Sequence, residues 1–436
     1  MTLLHDVGDG AERLASALRG DVQTCAPADQ PVHTLYWPAD RFSASTVHDA
    51  GASALELFDR HLGTPSALAA LALVEASGGS FNETLWARTR ARLGTQPVED
   101  IRIDFEDGYG IRADATEDAH ADAAGRAVVE AIGRGAMCPR VGIRVKALTP
   151  DLVARSARTL ERFTAALAEA NTWPELFVVT LPKVTHAEQA RLGDALLGAL
   201  ERRHGREAGS IRLEVMVETT ESLIGADGRS PLPGIVDAGV PRLLGVHLGV
   251  YDFTASLFLP PSEQAPDHKF CQLARGLTRL AVGGRVHVSD GASNVLPVGS
   301  ADAVHNAWRV GYDQVEAALR EGYVQGWDMH PGQLVVRHAA NVAFWLRSHN
   351  AAAPRLRALL ETAVAAAGAT TVEGEVIDEP ATGRALLRAV QRAFRVGATD
   401  ESQLEAAGMS LADVNAASFP ELVVTRQQAA EASSRR

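Results

Sequence analysis

The sequence predicts a (β/α)8 TIM barrel of the α/β class, with an inserted helical segment after strand 1 and a C-terminal helical extension. Three observations point there. Short segments rich in Val, Ile and Leu recur, longer Ala/Leu/Arg/Glu stretches with helical periodicity separate them, and every apolar segment finishes in an ionisable group. A barrel interior is filled with side chains, so chemistry sits on the loops at the C-terminal ends of the strands. Polar strand ends are therefore the residues to follow.

In order, the strand candidates are "HTLYWPADR" (33–41), "EDIRIDFEDG" (99–108), "VGIRVKAL" (141–148), "LFVVTLPKV" (176–184), "IRLEVMVET" (211–219), "RLLGVHLGVYDF" (242–253), "GRVHVSDG" (284–291) and "VQGWDMHPGQ" (324–333). Their polar ends are Asp40-Arg41, Glu106-Asp107, Arg144 with Lys146, Lys183, Glu218, Asp252, Asp290 and His330. Stretches such as "DATEDAHADAAGRAVVEAIGRG" and "HAEQARLGDALLGALERRHG" supply crossover helices. Such a barrel usually takes about 250 residues, and 33–333 accommodates it behind an N-terminal segment, 1–32. Residues 42–99 are too many for one crossover and predict an inserted helical pair. Beyond 333, "VVRHAANVAFWLRSH", "PRLRALLETAVAAAGA" and "ATGRALLRAVQRAFRVG" predict a helical extension over 334–436.

Composition narrows the function. Acidic residues outnumber basic ones 54 to 42, so the chain carries no overall electrostatic footprint for nucleic acid. A small anionic substrate needs a local basic pocket. No apolar run reaches the roughly 18 residues of a membrane span, and the first residues lack a basic region followed by an apolar one; a cytoplasmic protein without membrane partners is expected. Cys25, Cys138 and Cys271 form no C-x-x-C pair and read as packing residues. There is no G-x-S-x-G elbow, Walker A loop or G-x-G-x-x-G after a strand, which removes the best evidence for hydrolase, kinase and dehydrogenase chemistry.

Glu218 and Asp252 end consecutive strands, so their carboxylates can converge at the barrel mouth, and one or two carboxylates suffice for Mg²⁺. Pairing of each acid with a neighbouring Arg or Lys is the ordinary alternative. Arg144 offers a planar fork suited to a substrate carboxylate, or to an ion pair with Glu106 or Asp107. Lys183 either touches substrate or neutralises the carboxylates. Adjacent strand residues point to opposite faces, so Glu106 and Asp107 reach one centre only if the chain has turned, as Gly108 permits.

These segments resemble the citrate lyase β-subunit and HpcH/HpaI aldolase superfamily, particularly its malyl-CoA and citramalyl-CoA lyase-like branch. "LYWPADR" is similar to the family's L-F-V-P-G-x-R, "IDFEDG" to D-L-E-D-S/G, "GIRVKAL" to V-R-V-N, and "TLPKV" to its lysine strand. "MVETTESL", "LGVYDFTASL", "MHPGQ" and "EGEVIDEP" resemble E-T-x-x-G/S, G-x-x-D-L-x-A-x-L, I-H-P-x-Q and D-G-x-M-I-D-x-P. Lys146 stands where the family has an asparagine, and residues 42–99 are unusually long, features of a divergent branch.

The resemblance implies a Mg²⁺-dependent carbon-carbon lyase or aldolase, with Mn²⁺ as an alternative metal, acting on a 2-oxo acid or a β-hydroxyacyl thioester such as one of CoA. It implies Glu218 and Asp252 as metal ligands, Arg144 and Arg41 as substrate contacts, and Glu106 as a group that orients Arg144 or a metal-bound water, with Asp107 close by; Lys183 stays open between a substrate contact and a salt bridge to the carboxylates. Asp378, in "EGEVIDEP", would be a general acid/base reaching a neighbouring subunit's site, which implies a homo-oligomer. The competing expectations are a phosphoenolpyruvate- or pyruvate-handling barrel and a catalytically silent barrel that binds an acyl-CoA or keto acid.

Overall fold

The computed structural model describes residues 30–71, 78–364, 371–373, 376–378 and 380–434. Its main sheet consists of β1 (His33–Pro38), β2 (Asp100–Asp104), β3 (Arg140–Arg144), β4 (Leu176–Leu181), β5 (Ile211–Val217), β6 (Leu243–Leu248), β7 (His287–Ser289) and β8 (Gly326–Asp328). All pairings are parallel, in the order β7-β6-β5-β4-β3-β2-β1-β8. The seam between β7 and β8 carries one bridge, Ser289 to Gln325, and the Asp290 amide donates to the Gln325 carbonyl at 2.9 Å. The result is a nearly closed (β/α)8 barrel. Each strand is shorter than the segment read from the sequence; most of the polar end residues lie beyond the ladder, whereas Arg144 still ends β3.

Contacts divide the chain into two compact units. Among the described residues, the first comprises 30–53, Val98–Leu296 and Arg320–Pro331, and holds all eight strands. Strand β2 shows how its sequence sets the interior. Ile101 and Ile103 alternate with Asp100, Arg102 and Asp104, and all five are buried. The Thr34 hydroxyl, on β1, donates to Asp100 Oδ2 at 3.1 Å. Arg102 crosses the interior to Glu214 on β5, with Nη2 at 2.7 Å and Nε at 3.1 Å from Oε2, while Nη1 pairs with Asp100 and Nε also reaches the Thr180 hydroxyl at 3.1 Å. Gly142 on β3 makes room: a Cβ there would lie 2.9 Å from Arg102 Cδ. Barrel centres are usually filled by branched apolar residues; this one contains a buried ionic layer.

The second unit comprises the described residues within Ala54–Pro97, Pro297–Leu319 and Gly332–Arg436. Its helices gather around Leu356, Leu359, Leu387, Val390, Leu404 and Phe419. Arg88 reaches Asp400 at 2.5 Å, and the Trp308 indole donates to the Gly332 carbonyl at 2.7 Å. Three helices, Thr46–His61, Pro65–Leu71 and Gly79–Thr95, lie between β1 and β2. The first two helical patterns of the C-terminal region merge into one helix, Pro331–Val364, that runs through Pro354. Proline ordinarily interrupts a helix interior, which is why the sequence reads as two pieces. Cys138 and Cys271 are buried, and Cys25 lies outside the described residues. Among the described residues no helix is long and apolar enough to cross a membrane.

Candidate metal centre

Strand β2 stops at Asp104 because that side chain ties the following turn. Its carboxylate accepts the amides of Glu106 (3.0 Å) and Gly108 (2.8 Å), the local bonding that makes aspartate a turn former. A Cβ at position 108 would sit 2.6 Å from Asp104 Oδ2, so the turn requires glycine. With the chain turned, Glu106 and Asp107 both face the barrel mouth. Glu106 lies 3.2 Å from Arg144 Nη1 and 2.5 Å from Lys183 Nζ; Asp107 lies 3.2 Å from Lys183 Nζ. Burial raises the Glu106 carboxyl, partly offset by Arg144. At Asp107 the opposing effect of burial is outweighed by the Glu106 hydrogen bond and by Arg144, so that carboxyl stays low.

Arg144 ends β3, in register with Asp104. Its Nε and Nη2 each donate to Asp104 at 2.7 Å, a bidentate pair, and Nη1 lies 4.0 Å from Glu218 Oε1. The guanidinium carbon is 5.1 Å from the Tyr36 ring centre and 5.7 Å from that of Trp327, and those two rings stack at 4.2 Å. The fork that would take a substrate carboxylate is occupied by Asp104.

Lys183 follows β4 with φ +53°, left-handed backbone that costs a non-glycine residue roughly 1–2 kcal/mol. The conformation turns two donors toward the same cluster. Its amide donates to Glu218 Oε2 at 2.8 Å, and its ammonium lies among Glu106, Asp107 and Asp252, the last at 3.1 Å. Burial opposes the charge, but Glu218 and Glu106 outweigh it and hold the ammonium pKa above its ordinary value.

Glu218 lies just beyond β5 and is 2% exposed. Gly249 backs it so closely that a Cβ would fall 2.3 Å from Glu218 Cγ. Asp252 lies in the first turn of the helix Val250–Ser256. Carboxylate oxygens of Asp107, Glu218 and Asp252 all lie within 4.8 Å of one another. Three hard oxygen donors suit Mg²⁺ or Mn²⁺, and Gly249 leaves the space the Glu218 carboxylate occupies. The cluster opens on a cavity of about 340 Å³ whose lining includes Asp104, Asp107, Arg144, Glu218 and Asp252.

Burial pushes the Glu218 carboxyl up to about 7, against the pull of Arg144 and Lys183. The folded value exceeds the ordinary carboxylate value, so between about pH 4.5 and 7 the native state holds a proton that the unfolded chain has lost, and stability falls as pH rises. The penalty is complete above pH 7, at up to about 3 kcal/mol. Thermal melts of metal-free protein from pH 5 to 8 should show this decline, and Glu218→Gln should flatten it.

A family model matches residues 11–422. The chain belongs to that family, DUF6986, a domain of unknown function. No curated protein matches it. Among solved structures, a citrate lyase from Burkholderia xenovorans LB400 is similar at 20% identity and a TM-score of 0.54, covering 77% of this chain and 93% of its own; at that identity the likeness is one of fold. Haloferax volcanii malate synthase, in a magnesium/glyoxylate complex, aligns at 16% identity and a TM-score of 0.46 over 71% of this chain and 74% of its own.

In this DUF6986 chain, Glu106, Asp107, Arg144, Lys183, Glu218 and Asp252 come together. Arg41 does not line the cavity; it is exposed beyond β1, and its carbonyl accepts the Trp37 indole at 3.2 Å. Asp378 ends β10 (Val376–Asp378), which pairs antiparallel with β9 (Thr371–Glu373); its side chain lies outside what the structure describes. His330 is half-buried, and burial lowers its pKa. Asp290 pairs with Arg275 at 3.3 Å. Sequence reasoning missed Asp104, Tyr36 and Trp327. The signal for Asp104 is the alternation in "DIRID", which puts Asp100, Arg102 and Asp104 on one face of β2.

Proposed function

We propose that this DUF6986 barrel is a divalent-cation-dependent carbon-carbon lyase or aldolase acting on a 2-oxo acid or a β-hydroxyacyl thioester. The observation that carries it is the convergence of Asp107, Glu218 and Asp252 on a cavity beside a guanidinium already fixed by Asp104. The solved chain with a similar fold is described as a citrate lyase.

Asp107, Glu218 and Asp252 would hold Mg²⁺ or Mn²⁺. When bound, such an ion stabilises, as a Lewis acid, the negative charge that carbon-carbon cleavage leaves on an enolate oxygen. The chain's own groups prepare that site. Asp104 locks Arg144, whose Nη1 faces Glu106 and Glu218 and keeps those acids from repelling one another. Lys183 ties Glu106 to Asp252 and spares the loops that charge. Asp378, supplied across a subunit interface, would transfer the proton to or from the substrate carbon.

The test is Mg²⁺-dependent release of pyruvate, glyoxylate or acetyl-CoA from a panel of 2-hydroxy acids, 2-oxo acids and their CoA thioesters. Asp378→Asn should lose turnover while retaining Mg²⁺ affinity. Turnover that persists unchanged in chelator-treated protein would refute the proposal, whereas Mg²⁺ binding without turnover of any panel member would favour the silent-barrel alternative.

A further inference from the structure

We infer that the substrate of this site carries one carboxylate at its reacting end and an uncharged, flat or branched apolar arm, rather than a second acidic group. The inference rests on the cation-dependent reading above and adds the substrate class. It follows from the composition of the cavity lining.

The charged part of the lining is already strongly acidic. Among the described lining residues, Asp104, Asp107, Glu218 and Asp252 face a single cationic side chain, Arg144. Two of the Arg144 nitrogens are bound to Asp104, and the third lies near Glu106 and Glu218. Lys183 is occupied by Glu106, Asp107 and Asp252. Even with a bound dication these lining groups retain net negative charge. The reacting carboxylate of a substrate can meet the dication, but a second anionic group would enter an acidic cavity with no cation assigned to it, and burying an uncompensated carboxylate is strongly unfavourable.

The rest of the lining is largely apolar, with Tyr36, Val250, Tyr251, Ala292, Trp327 and Met329, and the Tyr36 and Trp327 rings lie against the Arg144 guanidinium. Its polar atoms are directed into the protein. The Trp327 indole donates to His247 Nδ1 at 3.3 Å, and the Tyr251 hydroxyl donates to the Ala292 carbonyl at 3.1 Å. The stacked Tyr36–Trp327 pair therefore presents carbon to the cavity. A volume of about 340 Å³ exceeds what a two- or three-carbon acid fills, and binding sites of this kind use a few polar groups for orientation and apolar surface for affinity. A fitting arm is an aryl or branched alkyl group that covers the apolar part of this lining.

Calorimetric titration of the full chain with 1 mM Mg²⁺ discriminates. The probes are phenylpyruvate and 4-methyl-2-oxopentanoate against 2-oxoglutarate, which shares their reacting head but ends in a carboxylate. The apolar acids are expected to bind at least about tenfold more tightly, equivalent to about 1.4 kcal/mol, and only with Mg²⁺. Met329→Arg provides the reciprocal measurement: Met329 is 41% exposed at the rim, so the fold should tolerate the change, and the added cation should improve 2-oxoglutarate binding by at least about tenfold. If 2-oxoglutarate binds the native chain as tightly as phenylpyruvate, with both Mg²⁺-dependent, the substrate class is overturned and the metal centre stands. If neither acid shows Mg²⁺-dependent binding, the underlying functional proposal fails.

Discussion

Glu218→Gln and Asp252→Asn should each abolish measurable turnover and reduce Mg²⁺ affinity by more than the roughly 10–100-fold typical of residues that only orient metal ligands. Each substitution removes an anionic oxygen from a set of three converging acids. The two variants should differ in stability. Glu218 is buried and its ionisation is disfavoured, so the neutral amide relieves a desolvation penalty and Glu218→Gln should melt at or above the native temperature at pH 8. Asp252 is partly exposed and its pair with Lys183 is solvent-screened, so Asp252→Asn should shift the melt little. A turnover assay, isothermal titration with Mg²⁺ and thermal melts at two pH values check these outcomes for both variants. A stable Glu218→Gln protein that binds no Mg²⁺ distinguishes a metal site from a structural ion-pair network, which would lose stability when cut. Full activity of both variants in chelator-treated buffer would remove the basis for a metal mechanism.

The barrel was legible because its signal is periodic: eight apolar segments with polar ends and helical spacers leave little choice of architecture. The convergence of Glu218 and Asp252 was legible for the same reason, since consecutive strand ends adjoin at the mouth. The partner of Arg144 was not. A guanidinium fork at a strand end looks free in one dimension, and only the β2–β3 register, Asp104 opposite Arg144, shows that a neighbouring strand has claimed it. Nor was the arrangement of Glu106 and Asp107 fully readable. Two adjacent carboxylates reach one centre because Asp104 accepts the amides of the turn, and that bonding leaves only a glycine as its trace. Lys183 is a comparable case: its left-handed backbone, which lysine does not favour, goes with the hydrogen bond from its amide to Glu218. The apolar wall escaped notice because Tyr36 and Trp327 look like ordinary strand residues until β1 and β8 are seen to adjoin.

Arg102→Met should destabilise the protein by about 3–5 kcal/mol, the usual cost of removing one partner from a buried ionic network. Arg102 is fully buried, and its guanidinium is shared between Asp100 and Glu214. Burial pushes both carboxyls up. At Glu214 the combined effect of Arg102 and His247 outweighs that and holds the acid below its ordinary range, whereas Asp100 remains above its own. Losing the cation strands both acids. Shape is a minor part of the effect, because methionine follows the aliphatic stem past Gly142. The triple variant Arg102→Met with Asp100→Asn and Glu214→Gln should therefore recover much of the loss, since buried ion networks are often no more stable than neutral replacements of similar volume. Urea denaturation of the three proteins measures this directly; a loss under about 1 kcal/mol for Arg102→Met would show that the acids accept protons at little cost. The layer also bears on the site. Glu214 lies 2.8 Å from His247 Nε2, and Nδ1 of that ring accepts the Trp327 indole, so the ionic layer supports one of the two rings flanking Arg144. Weakening it should loosen the cavity lining and reduce affinity for an apolar-armed acid before it affects Mg²⁺ binding, whose ligands stand beyond the ends of β2 and β5 and in the helix that follows β6.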